Sequence, residues 1–498
     1  MERRRLEKEL IERIAEIVEG RLSTSPHHLL AYSRDLWPMK LIEIQDMKME
    51  AETLNLPDAV VWVKEVKEVV KLLRFCSEKE IPVIPFGGGS GVCGGTVPVN
   101  GGIVVDLKLM DKIRNLNELS LLVEVEAGAN GERFERMLNK MGYTLGHFPS
   151  SMYCSTVGGW VSTRSAGQAS TLYGKIEDMV VALEVVLPDG SVLRTKETPR
   201  GATGPDLKQV FIGSEGTLGI ITSVVLRIHP YPEHRGFSSF FFSDLSSGIS
   251  AIRKIMRAGA KPAVLRLYDP VDTLITSMGT GEKKGGGFGE KILKWIIGSP
   301  SMANRFIGKF AGKCLLIMVF EGTRRNVYTA QDIAREICKE EYGIHEGEKY
   351  AKEWFEHRYS VSFGLSRIFS LGLFADTMEV ASPWDRLENL YYEIKNAISK
   401  YALVMAHFSH AYEDGCNIYF TFVGGGKNPE ERRERYISIW NDAMEACLRA
   451  GGAISHHHGI GLLKRKWLKD EHGKGYEIIK SLKSIIDPKN IMNPGKLL

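Results

Sequence analysis

The stretch PFGGGSGVCGG, residues 85–95, sets six glycines within the nine positions from Gly87 to Gly95. An apolar run that reads as a strand, IPVIPF (81–86), leads into it, and a second, GGIVVDL (101–107), follows. Glycine lets a main chain approach a ligand closely, and successive N–H groups in such a turn form a nest for anions. No Gly-Lys-Ser/Thr follows, so the loop is not a Walker A motif. A strand rather than a helix comes next, so it is not a Rossmann fingerprint either. On its own the loop reads equally as a phosphate cradle or a plain flexible turn.

Two more glycine turns lie downstream, in SSMYCSTVGGWVSTRSAGQASTLYGKIEDMV (150–180) and GSEGTLGIIT (213–222). Three such turns in one segment point to a single long ligand lying across it. Strand patterns in AVVWVKEV (59–66) and SLLVEVEAG (120–128) alternate with helical ones in KEVVKLLRFCSEKE (67–80) and ERFERMLNKMG (132–142). VVALEVVLPDGSVLRT (180–195) reads as a hairpin with a Pro-Asp-Gly turn. Residues 57–232 are thus expected to form an α+β domain with two small sheets. Residues 233–430, with strands at FSSFFF (237–242), KCLLIMVFEG (313–322) and CNIYFTFVG (416–424), are expected to form an antiparallel sheet covered by helices. Residues 1–56 and 431–498 read as helical segments, the latter returning to the ligand.

At 498 residues the chain is too long for one compact core. Hydrophobic and charged contents of 43% and 25% are those of an ordinary globular enzyme. A net charge of +4 without a basic stripe argues against nucleic acid. The seven cysteines form no CxxC pair, which suggests reduced thiols and a cytoplasmic location. MERRRLEKELIERIAEIVEG (1–20) is a charged amphipathic helix rather than a signal peptide. The peroxisome-type pattern Arg21-Leu22, His28-Leu29 runs straight into domain sequence and reads as coincidence.

From YSRD (32–35) to NPGK (493–496), the three motifs in order resemble the vanillyl-alcohol-oxidase (PCMH-type) FAD family. The resemblance implies a PCMH-type FAD-binding domain of two small α/β subdomains plus a cap domain. Pro85, Gly87, Gly88, Gly89, Ser90 and Gly91 would contact the FAD pyrophosphate. Ser155, Thr156, Gly158, Gly159, Ser162, Thr163, Glu215, Ile220 and Ile221 would hold the rest. Non-covalent FAD is expected, because the first loop lacks the histidine that some members link to flavin. Cys154 stands where a subset of relatives carries a flavin-linked cysteine, and a small residue packed beside the ring is the preferred reading.

Two subfamilies compete for the second half. FAD-linked 2-hydroxy-acid dehydrogenases bind a divalent metal through an H-x-G-D-G-N-x-H pattern and a glutamate in S-G-E-H-G-I-G. Here HFSHAYEDGCNIYF (407–420) has Tyr419 in place of the second histidine, and SHHHGIG (455–461) has His457 in place of the glutamate. Too few ligands remain, so no metal is expected. The residues resemble the alkylglycerone-phosphate synthases more closely, at Ser155–Arg164, Tyr173–Asp178, Arg266–Asp269, Ser382–Arg386, Tyr419 and Ser455–Leu468. That subfamily replaces the acyl group of acyl-dihydroxyacetone phosphate by a fatty alkoxy group through a flavin N5 adduct.

The resemblance implies that Tyr419 takes a proton, with a neighbouring imidazolium among His456, His457 and His458 lowering its pKa. Arg266, helped by Lys464, would hold the phosphate. Arg367 lies nearest to one arginine of the subfamily, and His407 replaces another. The partners implied are a lipid-like or small anionic substrate, a homodimer, and a peripheral membrane contact through residues 288–310, which include KILKWIIG (291–298). Bland readings stand beside these: Arg266 in a surface ion pair, Tyr419 as a strand's core aromatic, KILKWIIG as an ordinary packed helix. A dehydrogenase or oxidase of a hydroxy acid or other alcohol, and a non-catalytic lipid-binding flavoprotein, are the alternative functions.

Overall fold

A computed structural model describes residues 6–45, 54–277, 298–310, 312–360 and 368–497. Arg367 and residues 278–297, which hold most of KILKWIIG, lie outside them.

Helix α1 (Lys8–Ile17) leads to the short strand β1 (Leu22–Ser23), which opens the first sheet. β1 runs antiparallel to β2 (Ala59–Trp62) at the sheet's edge, so the N-terminal segment is not helical throughout. β2, β3 (Val83–Phe86) and β4 (Ile103–Asp106) are parallel, in the order β1-β2-β4-β3. A parallel strand is covered on both faces, which is why these runs are almost continuously apolar. Helix α2 (Val66–Lys79) makes the crossover and packs Leu72 and Leu73 into the core of Val61, Val83 and Val105. Ile14 and Met492 join the same core. The Arg21–Leu29 stretch is built into this layer: Arg21 bonds Glu68 and the Trp62 carbonyl, and His28 packs edge-on against Trp62.

β5 (Ile113–Asn117), β6 (Leu122–Glu126), β7 (Val180–Val186), β8 (Val192–Arg194) and β9 (Ile220–Arg227) form a second, antiparallel sheet ordered β5-β6-β9-β7-β8. Helices α3 (Gly131–Lys140) and α4 (Val157–Thr163) cover it, with Leu138 and Trp160 against Val125 and Val224. Asn130 and Thr156 cap the two helices through their side-chain oxygens.

The second half builds a seven-stranded antiparallel sheet. Its strands are β10 (His234–Phe242), β11 (Val264–Tyr268), β12 (Cys314–Gly322), β13 (Ile344–His345), β14 (Phe374–Pro383), β15 (Leu403–Ala411) and β16 (Gly415–Gly424). Their order is β13-β10-β12-β11-β15-β16-β14. Helices α5 (Leu245–Arg257), α6 (Arg324–Glu340), α7 (Trp384–Ser399) and α8 (Pro429–Arg449) supply the apolar cover. Along β16, Ile418, Phe420 and Phe422 enter that core, so the two-residue repeat turns Tyr419 and Thr421 to the opposite face. β11, β13, β14 and β15 escaped the sequence reading. β14 carries two buried acids: Asp376 is on the helix-covered face, accepting from Tyr436 Oη at 2.6 Å and Trp440 Nε1 at 3.1 Å, while Glu379 is on the other face, which lines a polar site instead of a core. The chain then crosses back: Met492 makes a parallel bridge to Val83, and the Asn493 N–H donates to the Val83 carbonyl at 2.7 Å.

Candidate active site

The glycine loop leaves the carboxyl end of β3, the usual ligand side of a parallel sheet. Its glycines are required by what lies behind them. A Cβ on Gly88 would sit 1.8 Å from the Cys154 carbonyl oxygen, one on Gly87 2.2 Å from Thr156 Oγ1, and one on Gly216 2.9 Å from Pro85. Gly89, at φ +62°, would strike the Phe86 ring. Among the described residues none accepts a hydrogen bond from the N–H groups of Gly87, Gly88, Gly89, Ser90 or Gly91. These N–H groups suit a pyrophosphate, and Arg34 Nη1, Asp35 Oδ2 and Thr96 Oγ1 are buried polar atoms with no partner among the described residues. The residues therefore fit a dinucleotide. The other two turns close on the same place. Gly158 backs onto Ala127, Gly159 donates to Thr156, Thr163 bonds the Gly159 carbonyl, and the Ser162 carbonyl accepts from the Glu215 N–H at 2.9 Å. Ser155 Oγ accepts from Trp160 Nε1 at 2.8 Å. Cys154 is exposed, its thiol donating to the Ser151 carbonyl, and burial holds the thiol pKa above its ordinary value.

Three sequence-based contacts have other jobs. The Glu215 carboxylate accepts from the N–H groups of Ile460 and Gly461 at 2.6 and 2.8 Å, fastening the segment after the histidines to the cradle. The side chains of Ile220 and Ile221 belong to the two sheet cores.

The polar wall is one rung of the large sheet. Tyr268 pairs with His407, His407 with Tyr419, and Tyr419 with Glu379 across four neighbouring strands. Alternation puts their side chains on a common face, with Arg266 one repeat away. The His407 ring stacks on Tyr419 with centroids 4.9 Å apart, and His407 Nδ1 lies 3.2 Å from both Arg266 Nη2 and Asp272 Oδ2. The guanidinium also rests on the Tyr268 and Trp354 rings, and its buried Nε has no partner among the described residues.

Above the rung hangs the segment 455–458. Ala453 bridges to Ala381 of β14, which fixes its entry. Glu379 then organises it, accepting from Ser455 Oγ at 2.8 Å and from the N–H groups of His456 and His458 at 3.1 and 2.6 Å. His457 stacks over Tyr419 at 6.0 Å and His458 meets it edge-on at 5.6 Å. His456 and His457 join through their Nδ1 atoms at 2.9 Å, and Tyr412 Oη lies 3.0 Å from His456 Nε2. Among the described residues no three His, Cys, Asp or Glu side chains are placed to hold one metal ion.

Lys464 does not reach a phosphate. It is wholly buried, with Nζ 3.1 Å from both Glu379 oxygens. Burial alone would lower its pKa and raise that of Glu379; their mutual attraction prevails in both, leaving a charged pair. The expected imidazolium is also absent from the physics. Burial, reinforced by Lys175 and neighbouring histidines, holds His456 and His457 well below 6.5; burial brings His458 to about 4 despite the Glu379 charge. Burial likewise pushes the Tyr419 phenol up to about 12, the reverse of the expected activation. At neutral pH the wall consists of uncharged imidazoles and a phenol that keeps its proton.

Two residues were overlooked. Glu379 is one; an acid within the strand run TMEVA was its signal. His410 is the other. It sits at a bulge between Ser409 and Ala411, with φ +49°, a conformation costing about 1 kcal/mol for a residue with a Cβ. The bulge aims its ring at His456 and His457, with centroids 5.3 and 5.2 Å away, while Nδ1 meets Ser170 Oγ at 2.6 Å. Two histidines three apart in HFSHA were the available hint.

With this geometry the comparisons agree. The FAD binding domain family matches residues 57–196, and the C-terminal domain of FAD linked oxidases matches residues 231–497. The chain is 31% identical over 468 residues to the alkyldihydroxyacetonephosphate synthase of Caenorhabditis elegans, covering 90% of this chain and 77% of that one. It is 33% identical over 462 residues to the uncharacterized FAD-linked oxidoreductase YgcU of Escherichia coli O157:H7, covering 89% and 90%. A solved alkyldihydroxyacetonephosphate synthase structure superposes with a TM-score of 0.79 at 25% identity, over 99% of this chain and 86% of that one. The architecture is the PCMH-type FAD-binding fold with a cap. The chain belongs to the FAD-linked oxidase family, and FAD is its cofactor.

Proposed function

We propose that the enzyme exchanges the acyl group of acyl-dihydroxyacetone phosphate for a fatty alkoxy group. The arrangement that supports this is a single face of the cap sheet: Arg266, with one guanidinium nitrogen unpartnered among the described residues, stands beside the His407–Tyr419–His457 ring column. Arginine suits a phosphate, and uncharged imidazoles next to it suit a carbon acid whose proton must be held and returned. His457 is the better base, since its lone pair is free at neutral pH while Tyr419 remains a hydrogen-bond donor. Bound flavin supplies an electrophilic ring that takes up and returns electron density at the substrate carbon. Exposed Met302 and Phe306, on the helix Pro300–Phe310, suit contact with a lipid surface.

The same neutral imidazoles could take the hydroxyl proton of an alcohol, and an oxidoreductase relative at 33% identity favours that second reading. One pair of assays separates them. FAD-dependent release of fatty acid from palmitoyl-dihydroxyacetone phosphate, unaffected by a chelator, is the expected result. Anaerobic bleaching of the flavin by D-lactate or D-2-hydroxyglutarate, without fatty-acid release, would replace the synthase reading by the dehydrogenase one.

A further inference from the structure

Where the chain enters the histidine segment, at Ala453, lies a cavity of about 540 Å³. Ser382, Tyr412, Asp414, Cys416, Asp470 and Glu471 are among its lining residues, and Asp414 and Asp470 are exposed to solvent. Among the described residues, only Tyr412 belongs both to this lining and to the site's hydrogen-bond chain. Its hydroxyl lies 3.0 Å from His456 Nε2, and His456 Nδ1 lies 2.9 Å from His457 Nδ1. Ser170 also bonds the hydroxyl, and Cys416, Glu177 and Asp178 face the ring's surroundings. A series of titratable atoms thus runs from a residue of the cavity wall to the imidazole that stacks on Tyr419.

Resting on the reading of His456 and His457 as part of the reacting wall, we propose that Tyr412 is a proton relay between this outer cavity and the histidine pair. The Nδ1 contact requires one ring to carry hydrogen and the other a lone pair. A proton captured by His457 makes it a cation, which passes its Nδ1 hydrogen to the bare Nδ1 of His456. His456 releases its Nε2 hydrogen to the Tyr412 oxygen, and the phenol hydrogen moves to cavity water. One proton enters, one leaves, and no electrons move. His456 ends in its other tautomer, and the reverse passage restores it when the proton is returned to product. Tyr412 touches neither substrate nor cofactor; it acts through His456.

The test uses the flavin-loaded enzyme and whichever of the two reactions above it performs. Tyr412→Phe is expected to lower kcat about 10- to 100-fold, with KM within about twofold and a larger solvent deuterium isotope effect on kcat. Tyr412→Ala, which widens the cavity, is expected to regain turnover on addition of free imidazole in proportion to its concentration. Ser382→Ala, in the same lining but outside the chain of hydrogen bonds, should match wild type. Wild-type kcat and isotope effect in Tyr412→Phe would overturn the relay alone. Loss of turnover in both variants with no isotope change and no imidazole rescue would also overturn it, making Tyr412 a merely structural residue. Absence of both reactions in the wild type would overturn the reading of the site, and the relay with it.

Discussion

Tyr419 is positioned by neighbours that come from far apart in the chain. Its rung contributes His407 and Glu379, and a loop nearly forty residues later supplies the rings above it. Replacing it with Phe keeps the stacking and removes the donor, so turnover should fall about 100-fold or more with little change in flavin content; undiminished turnover would remove Tyr419 from the chemistry. Glu379 is a different case. Glu379→Gln leaves the buried Lys464 charge uncompensated and should cost about 3–5 kcal/mol of unfolding free energy. Adding Lys464→Met should return much of that loss, and urea titration of the single and double variants measures it. A double variant no more stable than Glu379→Gln would mean the pair is not coupled. Tyr419 and the three histidines could be read from the chain because they sit in short motifs. Lys464 was misread because its partner lies 85 positions away, and no local pattern announces it. Protonation was misjudged for a similar reason: sequence shows which groups are near in order, whereas burial decides which of them can bear charge.

At the scale of elements, the glycine turns were the clearest signal, since steric need leaves a mark in residue type. Gly88→Ala tests the cradle directly. Its methyl would collide with the main-chain oxygen of Cys154, which cannot rotate away, so the purified variant should carry markedly less flavin by absorbance at equal protein. Gly308→Ala, with nothing within 4 Å, is the matched control and should load normally. Equal flavin in both variants would refute the cradle. Strands with one face on the core and one on the site were harder to read. β14 and β15 mix apolar residues with Glu379, His407 and Ser409, a pattern that resembles a loop until the polar face is known. The bulge at His410 was invisible, because an extra residue in a ladder is defined by its partner strand.

Taken as a whole, the molecule keeps many imidazoles out of water. His147, His407, His410, His456, His457 and His458 all titrate below 6.5, chiefly through burial. The unfolded chain binds protons near pH 6.5 while these folded sites do not, so each histidine's contribution to stability falls as pH drops from there toward its folded value. Buried Asp35 and Asp272, pushed up to about 6, and Asp376, to about 7, act in the opposite sense by gaining protons in the folded state. A single replacement away from the wall isolates one contribution. His147, whose Nε2 meets Ser165 Oγ, is held at about 3. His147→Gln should flatten the decline of stability between pH 6 and 4.5 by up to about 1.4 kcal/mol per pH unit, measured by denaturant unfolding. An unchanged slope would show that His147 does not titrate out of step with the unfolded chain.

Asn493 donates to the carbonyl oxygens of Gly95 and Glu215, and Leu462 and Leu463 donate to that of Cys93. The first of these partners precedes its clamp by 398 positions. During translation the nucleotide-binding half therefore emerges and folds long before the segments that latch it shut. Cofactor capture by a nascent chain stays reversible until that latch arrives, and a polypeptide arrested before it should give up its flavin on gel filtration.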